Sequence, residues 1–170
     1  QPFYAQVNFS ETHRGGAWNE SPKFIDTPAD PSKVVIPPYY PDHPVTRAVW
    51  AQYLNAVMSA DKKVAFILDR LKRDGLDQNT VVLFMGDHGR AMPRGKQWPY
   101  DSGLHIRLVM YWPEGNAELP LPTGFARGKS SDTWRAQIWS CWSGGRISAG
   151  SPTATHPMGT VASAGIIVLR

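Results

Sequence analysis

The chain has 170 residues, 42% hydrophobic and 19% charged, which suits one ordinary domain with its own core and excludes long acidic or basic tails. Its net charge of +4 and pI near 9.3 come from scattered bases rather than a continuous basic face. That argues against a nucleic-acid partner and suits an anionic small substrate. The single cysteine, Cys141, excludes an internal disulfide and a cysteine-rich zinc site, and no run approaches a membrane span.

Phe3 to Phe9 (FYAQVNF) is aromatic and partly alternating, and predicts a strand, with the polar segment Ser10–Gly16 after it. Residues 20 to 44 hold many of the fifteen prolines. Proline lacks a backbone donor and fixes φ, so this stretch reads as an extended connection. From Val45 to about Asp74, apolar residues recur at three and four: Val49, Tyr53, Val57, Ala60, Val64, Ile67, Leu68 and Leu71. This predicts a long amphipathic helix. Asp42 or Thr46 is the expected N-cap, Lys72 and Arg73 suit the C-terminal dipole, and Gly75 suits the C′ position.

Val81 to Met85 is an unbroken apolar run with β-branched residues, as expected of a strand buried on both faces in a parallel sheet. Leu104 to Trp112 is a third strand candidate. The order strand, loop, helix, strand is a βαβ unit and points to an α/β fold. After about Asp132 the chain turns rich in Ser, Gly, Thr, Ala and Trp, and loses periodicity until a last short strand. Two regions are therefore expected, 1–132 and a poorly structured tail over 133–170. There is no starting Met and no signal peptide, and Gln1 opens as if in mid-strand. The chain is expected to be part of a longer one, so the missing leader does not define a compartment.

The segment VVLFMGDHGRAMPRGK (81–96) carries the chemistry. Asp87 and His88, set between Gly86 and Gly89, follow the second predicted strand, where open α/β sheets bind ligands. A carboxylate beside a neutral imidazole suits a divalent cation such as calcium, manganese or zinc, with further ligands from elsewhere. The alternative is a simple Asx-type turn with His88 exposed. Lys96 could meet an anionic oxygen, or be an ordinary surface lysine. His13 follows the first strand and would reach the same crevice if the two strands are parallel. His105 reads as structural.

In these segments the chain resembles the sulfatase family of the alkaline-phosphatase-like superfamily, in particular its sulfamidase and heparan-sulfatase-like bacterial branch. The similarity lies in PFYAQVNFSETHRG, in VIPPYYPDHPVTRAVWAQYLNAVMSADKKVAFILDRLKRDGLDQNTVVLFMGDHG and in GKQWPYDSGLHIRLVMYWPEG. It implies a mainly parallel mixed sheet flanked by helices, with the site at the strands' carboxyl ends. It also implies hydrolysis of a sulfate ester or sulfamate on a sulfated small molecule or saccharide, in a periplasmic or secreted setting. Asp87 and His88 would be metal ligands, usually to calcium, with His88 where many relatives carry Asn. Lys96 would hold the sulfate and assist the leaving oxygen, and His13 would contact the sulfate or leaving group. A phosphonate or phosphodiester hydrolase of the same superfamily, or a non-enzymatic truncated chain, is the alternative.

The chain also departs from the family pattern, in a small way at Arg107, which stands where relatives often have Pro, and in larger ways elsewhere. The family's formylglycine, made from Cys or Ser in a Cys/Ser-x-Pro-Ser/Ala-x-Arg context, has no counterpart, nor has the first acidic pair of metal ligands. Cys141, in CWSGGR, lacks the proline and the arginine at the right offset. Beyond residue 132 the similarity stops abruptly, which suggests a frame change in the source. These 170 residues are therefore expected to be inactive alone.

Overall fold

The computed structural model describes residues 1–113, 137–140 and 164–169. Strand β1 spans Tyr4–Phe9, and the short helix α1 spans Gly16–Glu20. The long helix α2 spans Pro44–Arg73 and strand β2 Val81–Gly86. The short helix α3 (Asp101–Leu104) and strands β3 (Arg107–Tyr111), β4 (Gln137–Ser140) and β5 (Ala164–Leu169) follow. The proline-rich connection holds 3-10 turns at Ser21–Phe24 and Pro31–Lys33.

The ends of α2 are set by local chemistry. His43 is the N-cap, its Nδ1 accepting from the Val45 amide at 3.2 Å, and Pro44 fills the first helical position. Neither expected cap is used. Asp42 is held instead by Arg47, through Nε to Oδ1 at 2.5 Å and Nη2 to Oδ2 at 2.7 Å. Thr46 lies inside the helix. At the far end Gly75 takes φ 66°, and its amide donates to the Lys72 carbonyl at 3.1 Å. A glycine is favoured there because a Cβ opposes that left-handed turn.

Helix α2 serves two cores. Its second half packs Leu71, with Val64, Ile67 and Leu68, onto Phe9, Val82 and Val168 of the sheet. Its first half buries Trp50, Ala51, Tyr53 and Ala56 against Trp18, Val34 and Met92. The Trp50 ring meets Tyr53 and Tyr40 edge to face at 5.9 and 5.7 Å. Each large side chain fully buried this way stabilises the fold by roughly 1.5–3 kcal/mol. This second core anchors the loops beyond β1 and β2, so it also positions the site.

The strand order is β1-β5-β2-β3-β4, and all four neighbouring pairs are antiparallel. The mainly parallel sheet expected from the sequence is not seen among the described strands. A continuous apolar run reports burial on both faces, not the direction of the neighbours, and β2 lies between two antiparallel strands. The βαβ expectation survives in another form. Because β5 is antiparallel to both β1 and β2, those two strands run in the same direction on either side of it.

Residues 164–169 (AGIIVL) pair along their length with β1 and β2, and Val168 is buried in the core. Strand β4 pairs with β3. Cys141 and the other calls on residues 133–136 and 141–163 lie outside the described residues.

Candidate functional site

The register of β5 fixes where the two functional loops begin. Phe9, the last residue of β1, and Gly86, the last of β2, both pair with Ala164. With neighbouring strands about 4.8 Å apart, the two strand ends stand roughly 10 Å apart on one edge of the sheet. His13 lies four residues beyond the first end, and Asp87 and His88 directly beyond the second. The two loops touch: Arg14 Nη1 donates to the Ala91 carbonyl at 3.3 Å. Beside that contact lies a cleft of about 290 Å³, lined by Arg14, Met92, Pro93, Lys96, Gln97 and Trp98 among others. A second groove of about 340 Å³ continues past Arg14 toward Val45 and Trp50. His13 is exposed and its amide closes a turn onto the Ser10 carbonyl at 3.0 Å; its ring does not line either cleft.

Asp87 and His88 are arranged about one another. The Asp87 Oδ1 accepts from the His88 amide at 2.8 Å, the Asx-type geometry that the sequence left open. His88 Nδ1 lies 2.8 Å from the Gly89 carbonyl. A carbonyl only accepts, so Nδ1 carries the hydrogen and the neutral ring keeps its lone pair on Nε2. That nitrogen lies 3.4 Å from Asp87 Oδ2. Two ligands about 2.4 Å from one cation at a right angle stand about 3.4 Å apart. Two ligands about 2.1 Å away at a tetrahedral angle are separated by nearly the same distance. The pair therefore has the spacing of two adjacent ligands, with the histidine's other nitrogen held by a carbonyl as metal-binding imidazoles are. Among the described residues no three His, Cys, Asp or Glu side chains gather as a metal site.

Three glycines let the Lys96 loop fold tightly. A Cβ on Gly89 would meet the backbone of Ser102 and Gly103; on Gly95, that of Arg90 and Met92; on Gly103, that of Trp98 and Gly95. The Lys96 amide donates to the Arg90 carbonyl at 2.8 Å, and the Gly89 amide to the Gly103 carbonyl at 3.2 Å. Arg94 and Gln97, on either side of this turn, have φ 63° and 74°. Left-handed backbone of this kind costs about 1–3 kcal/mol per non-glycine residue and is held by the packing around it.

Arg90 supplies part of that packing, a role that its place in the sequence does not reveal. It is buried, lies 4.8 Å from the Trp50 ring centre and 5.9 Å from that of Tyr40, and donates to the Tyr39 hydroxyl. Burial pushes the Tyr40 phenol above its ordinary value, against the opposing effect of the Arg90 guanidinium. The Tyr40 hydroxyl donates to the Pro93 carbonyl, so the phenol is kept neutral as a clasp on the loop. Arg14 was equally missed; its place directly after His13 and before Gly15–Gly16 is the signal that could have found it. His105 lies before β3, at the C-cap of α3, with its Nδ1 3.5 Å from Asp101 Oδ1.

The sulfatase family model matches residues 1–136. The chain belongs to the sulfatase family. An ulvan-active sulfatase of Formosa agariphila is 30% identical to it over 150 residues, covering 66% of this chain and 24% of that protein. Human N-sulphoglucosamine sulphohydrolase is 27% identical over 132 residues, covering 67% and 26%. An endo-4-O-sulfatase of Bacteroides thetaiotaomicron is 36% identical over 66 residues, covering 36% and 13%. The chain thus spans about a quarter of the length of the first two relatives. No solved structure matches it significantly.

Proposed function

We propose that this chain supplies one side of the active site of a metal-dependent sulfatase acting on a sulfate ester or sulfamate. Asp87 Oδ2 and His88 Nε2 are two ligands of a divalent cation, calcium in the first instance. When bound, the cation draws charge from the sulfate oxygens. Lys96 brings its ammonium to the sulfate and to the oxygen or nitrogen that departs, where negative charge develops. His13, from the other strand end, hydrogen-bonds the sulfate or the leaving group. The observation that carries this reading is the shared pairing of Phe9 and Gly86 with Ala164, which gives both loops a common origin.

The chain lacks the family's sequence context for the attacking aldehyde hydrate, and one carboxylate with one imidazole falls well short of calcium's six to eight ligands. Calcium should bind at millimolar concentration or more weakly. The 170-residue chain should show no turnover of an aryl sulfate, with or without calcium, and no calcium-dependent rise in melting temperature. In a longer chain that carries the remaining family elements, Asp87→Ala or Lys96→Ala should lower kcat by about 100-fold or more. Calcium-dependent turnover by the short chain would overturn the first expectation. Unchanged turnover in the two variants would overturn the assignment of residues.

A further inference from the structure

The stretch around Lys96 has two features that the proposed chemistry leaves unused. Trp98 and Tyr100 are 52% and 44% exposed, with ring centres 6.5 Å apart and planes inclined by 33°. The Trp98 ring, the more exposed of the two, borders the cleft described above. Cations accompany them. The Arg94 guanidinium lies 4.3 Å from the Tyr100 ring centre and 4.7 Å from that of Tyr39. Arg14 and Lys96 face the cleft that Trp98 borders, and among the described residues no carboxylate lines it. Among the described residues neither Arg14 nor Lys96 has an ion-pair partner.

The chemistry that fits an aromatic plane edged by unpaired cations is a ring with an apolar C–H face, a hydroxylated rim and a negative substituent. Resting on the function proposed above, we propose that this cleft is a subsite for a second, anionic sugar of a sulfated oligosaccharide. The Trp98 indole is its stacking platform, Arg14 the contact for its sulfate or carboxylate, and Gln97 a hydrogen-bonding partner for its hydroxyls. A guanidinium suits such planar or trigonal anions better than an ammonium does. The volume of about 290 Å³ is at the lower end for a ligand site, which fits one ring rather than a long chain. The left-handed Arg94 and Gln97 bracket the segment, as strained residues do where a loop is held ready for a ligand. A single-stranded nucleic acid could also stack on Trp98, but the scattered bases form no track for its phosphates.

The test uses the 170-residue chain, titrated by tryptophan fluorescence and calorimetry. The probes are a disulfated disaccharide, its unsulfated counterpart, inorganic sulfate and a short oligodeoxynucleotide. The disulfated disaccharide should bind at least about tenfold more tightly than either the unsulfated one or inorganic sulfate. Trp98→Ala should weaken it about fivefold or more without changing sulfate binding, Arg14→Gln should weaken it by a similar factor, and Trp98→Phe should keep most of the affinity. Trp98 is half exposed, so its removal opens no core cavity, and Arg14→Gln gives an independent second reading. Equal affinity for disaccharide and sulfate, insensitivity to both substitutions, or tighter binding of the oligonucleotide would overturn the proposal. The function proposed above is tested separately by Lys96→Ala and inorganic sulfate. If sulfate binding is indifferent to Lys96 while disaccharide binding depends on Trp98, that reading falls and the subsite stands.

Discussion

Gly89→Ala isolates the packing that holds the Lys96 loop. A Cβ at this position would stand 2.7 Å from Gly103 Cα and closer still to the Ser102 carbonyl oxygen. Carbon atoms rest at about 3.5–4.0 Å, so the 102–103 backbone must retreat by roughly 1 Å. Neither neighbour is a flexible side-chain end that could swing aside. The retreat also stretches the hydrogen bond from the Gly89 amide to the Gly103 carbonyl, already 3.2 Å long. Overpacking of this kind costs about 1–3 kcal/mol and the lost hydrogen bond about 1 kcal/mol, so a loss of about 2–4 kcal/mol is expected. For a chain of this size that is a fall in Tm of roughly 4–16 °C. Thermal unfolding followed by circular dichroism reads it directly. Gly16→Ala is the matched control: nothing lies within 4 Å of its added Cβ, and it opens helix α1, where alanine is favoured. If Gly89→Ala melts within 2 °C of the parent, or no lower than Gly16→Ala, then the loop is not held by glycine contacts.

Two further substitutions test the supports around the site. Lys63→Met removes the partner of the buried Glu11 carboxylate just beyond β1, whose second oxygen has no hydrogen bond among the described residues. Because Lys63 is itself half exposed, the loss should be only about 1 kcal/mol, read as a fall of roughly 2–4 °C in Tm, and Glu11→Gln in the same chain should restore most of it. Asp42→Asn tests the Arg47 clamp through pH. The hydrogen bond from Arg47 holds the Asp42 carboxyl below its ordinary value of 3.8, so its contribution is present above that pH and lost as pH falls through the lower folded value. The variant should therefore melt lower than the parent at pH 7 and converge with it by about pH 2, in paired melting curves across that range. A gap that persists at pH 2 would mean that the clamp acts through shape rather than charge.

The long helix was legible because its period of three and four apolar residues runs for thirty residues, and because Gly75 and the terminal bases mark its end. Its start was misread by one choice of cap. The sequence cannot show that Arg47 reaches back to take Asp42, and so leaves His43 to cap. The strand at Val81 was legible from its β-branched run, but its neighbours were not. Strand direction depends on pairing with residues 164–169, some eighty positions away, and no local pattern encodes that. The same distance hid the role of the tail, where GIIVL reads as one short apolar run and not as a central strand. Asp87, His88, Lys96 and His13 stood out by type and by position after strands. Arg14, Arg90 and the tyrosines 39 and 40 did not, because their value lies in contacts across 51 to 77 residues of chain.

The sheet also explains why an antiparallel arrangement can still gather residues in the way a parallel one would. In a doubly wound sheet, loops converge because strands point the same way, and the crossover helix is what keeps them so. Here α2 performs that crossover between β1 and β2 whatever strand lies between them. Inserting β5 widens the separation of the two strand ends from about 5 Å to about 10 Å. That spacing keeps His13 and Asp87 from crowding while leaving room between their loops. The Arg14–Ala91 contact then joins the two loops, and Arg90 lies against the Trp50 and Tyr40 rings. If the interval matters, shortening the β1 loop by deleting one residue of Gly15–Gly16 should leave the helix content of α2 unchanged. It should nevertheless break the Arg14 contact and weaken binding of the disulfated disaccharide as much as Arg14→Gln does. A deletion that leaves binding intact would show that the two loops act independently.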